Sequence, residues 1–176
     1  MNAGAVESRE GQVLEERWTI ETKLGAGGMG EVWRARDGEG KPAAIKLLRT
    51  ELIDTLDMFA RFRQEVDAAS RIGHPHIIEV LGFGHTRAGQ PYYAMEFLDG
   101  PDLLAVLKAE GPLPWRRAFG LAEQICSALH AAHQAGIIHR DVKPENFVLI
   151  EAEASHGRDF VKVLEFGIAK LTDPEM

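Results

Sequence analysis

The chain has 176 residues, of which 45% are apolar and 27% are charged, and both values are ordinary for a globular protein. Its net charge of −7 argues against broad electrostatic binding to nucleic acid, which needs a basic surface. The one cysteine, Cys126, excludes an intramolecular disulfide and indicates a reducing compartment. No apolar run reaches the ~20 residues of a membrane helix, and the N-terminus lacks a signal-peptide pattern. We therefore expect a cytoplasmic protein without nucleic-acid or membrane partners.

The first part of the chain has the alternation typical of strands. Residues 1–16 are polar, acidic and without a period, which predicts a flexible leader. Alternating or apolar runs then predict strands at 18–24, 31–36, 43–48, 77–83 and 92–97. Between the third and fourth strands, apolar residues at steps of three and four predict a helix over 56–72, which Gly73 and Pro75 end. These elements make five strands and one helix.

The second part has the pattern of helices. Gly100 and Pro101 break the chain, and helices are predicted over 103–109 and 115–135. The expected buried stripe of the longer helix is Ala118, Ala122, Ile125, Leu129 and Ala132, with Cys126 as a small buried residue beside it. Short β segments are predicted at 137–138, 147–150 and 160–164.

A glycine-rich run, Gly25-Ala26-Gly27-Gly28-Met29-Gly30, matches the spacing G-x-G-x-x-G. Glycines let a backbone approach phosphates and present bare N–H donors. Dinucleotide-binding proteins use the same spacing, but there the loop opens a helix. Here the loop opens the strand at 31–36, which disfavours a dinucleotide site. A glycine-rich turn without any ligand is the alternative.

Two further charged residues have a structural and a functional interpretation. Lys46 ends an apolar strand, where a lysine is commonly a solvated edge residue. Glu65 lies on the apolar stripe of the predicted helix, where a carboxylate is costly unless it is paired. We expect Lys46 to be its partner, and the alternative is that this edge of the helix faces water.

The strongest signal is His139-Arg140-Asp141-Val142-Lys143-Pro144-Glu145-Asn146. One loop contains a candidate base (Asp141), a cation (Lys143) and an amide able to bind metal (Asn146). These groups can orient a hydroxyl, neutralise a phosphoryl group and hold Mg²⁺. With the glycine-rich run, the Ala-Ile-Lys strand, the helix glutamate and Glu165-Phe166-Gly167 in that order, the chain resembles a bacterial-type Ser/Thr protein kinase.

The resemblance implies an α+β fold with two lobes: a five-stranded antiparallel small lobe with one helix, and an incomplete helical large lobe. Residues 1–16 would be the leader, 17–99 the small lobe and hinge, and 100–176 part of the large lobe. It also implies ATP and Mg²⁺ as cofactors, and a protein with a Ser or Thr acceptor as substrate.

The resemblance also implies roles for individual residues. Those that would bind the nucleotide are Leu24, Gly25, Ala26, Gly27, Gly28, Gly30, Val32, Ala44, Lys46, Met95, Glu96, Leu98, Asp102 and Val148. Among them, Asp102 would contact the ribose, with helix capping as the alternative. The catalytic residues would be Asp141, Lys143, Lys46 and Glu65, and the metal ligands Asn146 and Glu165.

Two departures from the family pattern favour an alternative, a nucleotide-binding pseudokinase or interaction module. Glu165 stands where the family has the aspartate of Asp-Phe-Gly, so its carboxylate lies one methylene further out, and Mg²⁺ demands near-ideal geometry. We expect weakened metal binding. The chain also stops at Met176, before the family's activation segment and later helices. We therefore expect exposed apolar surface on the long helix, association through it, and low or no activity in the isolated chain.

Overall fold

The structure is a computed structural model, and it describes residues 9–50, 60, 63–64, 66–67, 71–151 and 159–164. The chain divides into two compact units, residues 1–51 with 81–97 and residues 52–80 with 98–176. We call them the sheet unit and the helical unit. Residues 52–80 and 98–99, which the sequence predicts in the small lobe and hinge, belong to the helical unit, and the lobe boundaries stay a prediction.

The sheet unit is built on one six-stranded sheet with the strand order β1-β2-β3-β4-β6-β5. The strands are β1 (Val13–Leu14), β2 (Trp18–Gly27), β3 (Gly30–Arg36), β4 (Pro42–Leu48), β5 (Val80–His85) and β6 (Pro91–Glu96). β2, β3, β4 and β6 pair antiparallel in that order. The expected meander is therefore present, and the sheet has one strand more than the expected five.

The additional strand lies in the expected leader. β1 pairs antiparallel with β2, and Leu14 is only 2% exposed, packed with Trp18 and Ile20. The carboxylate of Glu15 accepts hydrogen bonds from the backbone N–H of His85 and from the Tyr92 hydroxyl, both at 3.1 Å. Residues 9–16 therefore pack on the sheet instead of forming part of a flexible leader, because one buried leucine and one carboxylate fasten them.

The two faces of the sheet have different residues. Cross-strand pairing places Trp33, Ile45 and Ala94 on one face, and this face forms the core of the sheet unit. The same register places Val32, Lys46 and Tyr93 on the opposite face, because side chains alternate along a strand. The buried residues of the core face are Leu14, Trp18, Ile20, Trp33, Ala35, Ala43, Ile45, Leu47, Tyr92 and Ala94.

The helical unit contains two described helices and a two-stranded sheet. They are α1 (Leu103–Glu110), α2 (Trp115–Gln134) and the antiparallel pair β7 (Phe147–Glu151) and β8 (Asp159–Val163), preceded by a 3₁₀ turn at Pro144–Asn146. Their shared core is formed by Ile77, Val106, Leu121, Ala128, Ala132, Phe147, Leu149, Val161 and Val163. In the expected helix over 56–72, residues 60, 63–64 and 66–67 are helical and Val66 is buried, while residues 56–59, 61–62, 65 and 68–70 lie outside the described part.

The buried stripe of α2 agrees with the expected one in part. Ala132 is buried, and Ile125 and Leu129 pack on the core as expected. Ala118 and Ala122 are exposed, and Leu121 and Ala128 are buried instead. The side chain of Gln124 sets the rotation of the helix, because it donates to the carbonyl of Asp159 at 3.0 Å and accepts from the N–H of Val161 at 2.9 Å.

Three other expectations concern the surroundings of α2. Cys126 is exposed, not buried as expected, because it lies on the side of the helix away from β8. Residues 137–138 form no strand. The expected exposed apolar surface is present, with Trp115 70% and Phe119 68% exposed, and association through it stays a prediction. Among the described residues, no helix combines the length and the hydrophobicity needed to cross a membrane.

Candidate active site

The glycine-rich run forms the tip of the β2–β3 hairpin, where Gly27 pairs with Gly30 around a two-residue turn. Gly30 is required by the fold, since it has φ of +145° and a Cβ there would lie 1.9 Å from the carbonyl oxygen of Leu47. A Cβ added at Gly25, Gly27 or Gly28 would meet no atom within 4 Å. The described protein atoms therefore give no steric reason for these three glycines, and an approaching ligand would give one.

Lys46 lies on the sheet face opposite the core, level with Val32 on one side and Tyr93 on the other. Its side chain is 5% exposed. Ala44 and Met95 pair across the strands on the same face and are 5% and 7% exposed. The register thus brings four of the expected nucleotide-binding residues, Val32, Ala44, Lys46 and Met95, onto one face.

Three other expected nucleotide contacts are Leu24, Glu96 and Leu98. Leu24, on β2, is 49% exposed, which is high for a leucine in a strand. Glu96 ends β6, and the expected hinge residue Leu98 follows it outside any strand. Glu65, the expected partner of Lys46, lies outside the described residues.

The loop over residues 139–146, which we call the catalytic loop after its expected role, is fastened by His139, which is 1% exposed. Its Nε2 lies 2.8 Å from the carbonyl oxygen of Leu164, so Nε2 donates, and its Nδ1 accepts from the N–H of Asp141 at 3.3 Å. The N–H of Leu164 in turn donates to the carbonyl of Asn146 at 2.8 Å. These hydrogen bonds therefore tie the loop to Leu164, the residue that precedes Glu165.

Asp141, Lys143 and Asn146 are in direct contact. Asn146 Nδ2 donates to the backbone carbonyl of Asp141 at 2.7 Å and to its carboxylate Oδ2 at 3.0 Å, and Lys143 Nζ lies 2.6 Å from the same Oδ2. Burial raises the pKa of Asp141, but the hydrogen bonds from Lys143 and Asn146 together outweigh it, so the pKa is below its usual value. Asp141 is therefore an ionised acceptor at neutral pH.

The other expected site residues of residues 100–176 are Asp102, Val148 and Glu165. Asp102 caps α1, with its Oδ1 accepting from the N–H of Ala105 at 2.7 Å, which is the capping alternative noted above. Val148 forms a β-bridge with Asp102. Glu165 lies outside the described residues. Within the described part of the chain, no three His, Cys, Asp or Glu side chains form a metal-binding group, so the expected Mg²⁺ site depends on Asn146 and Glu165.

Two structural residues of this region had no assigned role in the sequence analysis. His139 was quoted only as part of the motif, and Leu164 was only the end of a strand. Arg140, between His139 and Asp141, has φ of +66°, a conformation rare outside glycine. The position of this histidine beside the candidate base Asp141 was the available signal. Its partner is a backbone carbonyl 25 residues away, which no local sequence pattern contains.

Comparison with known proteins gives the class to which this fold and these loops belong. The family model described as protein kinase domain matches residues 18–176. The chain therefore belongs to the protein kinase domain family, and the family resemblance stated from the motifs is confirmed. The fold is confirmed as well, since the chain matches the crystal structure of the PknI kinase domain of Mycobacterium tuberculosis with a TM-score of 0.77 and 31% identity, over 92% of this chain and 64% of that one.

The curated relatives are bacterial proteins named serine/threonine-protein kinases. The chain is 44% identical to pkn3 of Myxococcus xanthus over 93% of its own length and 30% of the relative. It is 40% identical to PknE of Mycobacterium bovis, over 98% of the chain and 29% of the relative. The chain thus spans less than a third of the length of these relatives.

Proposed function

We propose that this chain carries the nucleotide-binding and catalytic-loop residues of a Ser/Thr protein kinase. In the proposed reaction, the bond between the β,γ-bridging oxygen and the γ-phosphorus of ATP breaks. A bond from a Ser or Thr oxygen of a protein to that phosphorus forms, ADP leaves, and the hydroxyl proton is released. The one cysteine and the use of ATP make the cytoplasm the compartment that we propose.

The observation that carries the proposal is the arrangement of Asp141, Lys143 and Asn146. Asp141 is ionised and its Oδ2 is fixed by two donors, so it can accept a hydrogen bond from a substrate hydroxyl and align its oxygen. Lys143 is a cation beside this oxygen, where it can neutralise charge on the phosphoryl group. His139 orients the loop through the backbone of Asp141.

The sheet unit supports the nucleotide part of the proposal. Gly25, Gly27 and Gly28 leave space for close approach of phosphates to backbone N–H groups. Lys46 is the cation proposed for the α and β phosphates, and Glu65 is proposed to orient it. The apolar side chains of Leu24, Val32, Ala44, Met95 and Val148 are proposed to contact the adenine, with the backbone of residues 96–98 reading its edge.

The residues fit a hard cation in part. Asn146 uses its Nδ2 for Asp141, so its Oδ1 is the atom we propose for Mg²⁺, with the Glu165 carboxylate as second ligand. When bound, Mg²⁺ neutralises negative charge on the phosphates. Oxygen ligands suit this ion.

The identity of residue 165 favours one alternative, a nucleotide-binding pseudokinase. A carboxylate displaced by one methylene can hold nucleotide and metal but misplace the γ-phosphoryl group, and a displacement of about 1 Å can cost about a hundredfold in rate. Under this alternative the chain binds ATP without transferring phosphate.

Thermal unfolding with and without Mg·ATP tests the nucleotide site first. Binding to the folded state adds RT ln(1 + [L]/Kd), about 2.7 kcal/mol at a hundredfold excess of ligand over Kd. We expect Mg·ATP to raise the melting temperature of the unaltered chain and to have little effect on Lys46→Met. Lys41→Met is the matched control, since Lys41 is exposed on the surface and paired with Glu39, and it should keep the full response. Equal responses of the two variants would remove Lys46 from the site.

Phosphoryl transfer is then measured as ³²P transfer to a mixture of Ser- and Thr-containing peptides. A kinase transfers phosphate, and Glu165→Asp increases the rate. If the chain responds to Mg·ATP in unfolding but neither it nor Glu165→Asp transfers phosphate, the proposed reaction is contradicted for this 176-residue chain, as the pseudokinase alternative expects.

A further inference from the structure

The helical unit contains a cavity of about 560 Å³ that none of the residues proposed for phosphoryl transfer lines. Its volume is within the range of about 300–1,000 Å³ that is usual for ligand sites. Val106 of α1 and Leu149 of β7 contribute apolar surface and are 6% and 5% exposed. Ile150 and Pro101 extend this apolar lining.

Close contacts hold the walls of the cavity in place. The N–H of Leu149 donates to the carbonyl of Pro101 at 2.9 Å. Gly100 passes so close to β7 that a Cβ there would lie 1.9 Å from the carbonyl oxygen of Leu149. On the other side, Arg117 of α2 donates to both carboxylate oxygens of Asp159 at 2.6 and 3.1 Å. The cavity is therefore formed by the fold itself and does not need a ligand to shape it.

The lining of the cavity is acidic. Four carboxylates, those of Asp99, Glu110, Glu151 and Asp159, face one guanidinium, that of Arg117. Arg117 is already engaged by Asp159 on one edge and by Glu110 on another. The hydrogen bonds that Arg117 donates to Asp159, more than the one that it donates to Glu110, raise the pKa of Arg117, and burial opposes them. The guanidinium is therefore neutralised within the wall and offers no anion site.

Asp99 and Glu151 are the two carboxylates left for a ligand. Both are exposed at the rim, and neither forms a hydrogen bond or ion pair with any residue in the described part of the chain. They lie beside the apolar floor formed by Val106, Leu149 and Ile150. A ligand that fits both features has a cationic group next to an aliphatic group.

We propose that this cavity docks a basic, aliphatic segment of a partner protein. An aliphatic side chain of the segment packs on Val106 and Leu149, and an arginine or lysine beside it pairs with Asp99 and Glu151. An anionic partner is disfavoured because the lining has four negative charges against one positive charge. A small polyamine supplies the cations but no branched apolar group for the floor. The proposal is independent of phosphoryl transfer, since the cavity and the catalytic loop share no residue.

Titration with a peptide, followed by NMR of the ¹⁵N-labelled 176-residue chain without nucleotide, tests the proposal. The probe is a blocked octapeptide of alternating leucine and arginine, and its control replaces each arginine by citrulline, which keeps the shape and removes the charge. We expect the arginine peptide to shift the amide signals of Gly100 and Ile150 with saturation, and the citrulline peptide to bind about tenfold more weakly or not at all. Raising the salt concentration should weaken the binding of the arginine peptide, because salt screens exposed charges.

Two double variants test whether the carboxylates of Asp99 and Glu151 bind the arginine peptide. The double variant Asp99→Asn with Glu151→Gln should bind the arginine peptide about tenfold more weakly, in line with the loss of two exposed ion pairs of modest strength. Glu10→Gln with Glu123→Gln removes the same number of charges from exposed positions outside the cavity, and its affinity should stay within about twofold of the unaltered chain. Each variant should keep the dispersed amide spectrum of the parent.

The proposal is wrong if the arginine peptide shifts no signal around the cavity, or shifts signals elsewhere only. It is also wrong if the citrulline peptide binds equally well, a comparison made on the unaltered chain and thus independent of how the variants fold. Spermidine is the last probe: saturable shifts of Gly100 and Ile150 with spermidine but not with the arginine peptide would make this a polyamine site instead. A chain that fails to transfer phosphate yet binds the peptide would leave the docking site intact and refute only the proposed reaction.

Discussion

The glycine-rich loop and the catalytic loop hold their functional groups in opposite ways. The glycine-rich loop is the tip of a hairpin, positioned by strand pairing from Gly25 to Val32, and space remains around Gly25, Gly27 and Gly28. The catalytic loop is held by side chains, with His139 and Asn146 both almost fully buried and hydrogen-bonded.

Because of this difference, the affinity for nucleotide and the free energy of unfolding should respond to different substitutions. In the glycine-rich loop, most substitutions should change the affinity for nucleotide and leave the free energy of unfolding nearly unchanged. In the catalytic loop, the side chains that orient Asp141 also fasten the chain to Leu164, so their loss should affect both. Asp141 is the exception, because Asn146 also donates to its backbone carbonyl, and a substitution of the side chain keeps this hydrogen bond.

The largest expected effect is on catalysis at Asp141. Asp141→Asn keeps an oxygen acceptor for Asn146 but removes the charge that aligns a hydroxyl. We expect the phosphoryl-transfer rate to fall by about 100- to 10,000-fold, the usual contribution of a general base, with the melting temperature and its response to Mg·ATP preserved. A variant that loses its fold together with its activity would contradict the separation of roles within this loop.

Gly30 is the position where the glycine-rich loop should behave like the catalytic loop. Gly30→Ala places a Cβ 1.9 Å from the carbonyl oxygen of Leu47 at a φ of +145°, so the strands must separate. We expect a loss of about 3 to 5 kcal/mol in the free energy of unfolding, measured in urea.

Gly27→Ala is the matched control for this prediction, because its Cβ meets nothing within 4 Å. Its stability should stay within about 1 kcal/mol of the parent, while its affinity for Mg·ATP falls. Equal losses of stability in the two variants would show that the hairpin tip is more tightly packed than the open space around Gly27 indicates.

The comparison also explains what the sequence could predict. The β2–β3 hairpin and the loop from His139 to Asn146 were predicted because their signals are local: the glycines, charges and amides lie within eight residues of one another. The limits of α2 were predicted to within one residue at its end, since Pro114 and Gly136 mark them.

Features set by distant contacts could not be predicted in this way. The two-residue β1 is too short to show a period, and its position depends on Glu15 meeting Tyr92, 77 residues later. The burial of Ala118 and Ala122 was wrongly predicted because alanines occur on several sides of α2. Its buried side is chosen by the contact of Gln124 with β8, which hydrophobicity does not encode.

Substitution of His139 should reduce the free energy of unfolding less than substitution of Gly30. His139→Phe removes the donor to the Leu164 carbonyl and the acceptor for the Asp141 N–H, leaving two buried backbone groups unsatisfied. We expect a loss of about 2 to 3 kcal/mol in unfolding free energy, together with reduced phosphoryl transfer. His133→Phe, at an exposed position in the last turn of α2, is the control and should change neither. If His139→Phe kept full stability, the loop would be fastened by residues other than this histidine.

The smallest expected effect is a pH dependence at a second histidine of the helical unit, the half-buried His74. Nδ1 of His74 accepts from the N–H of His76 at 3.2 Å, and its Nε2 lies 3.1 Å from the Ser127 hydroxyl. A proton on Nδ1 would face the N–H of His76, so the contact requires the neutral ring. Burial, and secondarily the charge of His76, lowers the pKa of His74 below its ordinary value of 6.5.

The sign of the effect follows from this lowered pKa. Below pH of about 6.5 the unfolded chain takes up a proton at His74 that the folded chain resists, so stability falls as the pH falls toward the folded pKa. Above pH of about 6.5 the contribution is constant. Urea unfolding between pH 7.5 and pH 5 should therefore show a shallower decline in His74→Asn than in the parent. Ser127→Ala keeps the histidine and removes only its partner, so it should lose stability at every pH while keeping a decline. Identical declines in His74→Asn and the parent would show that the acid sensitivity arises from other groups.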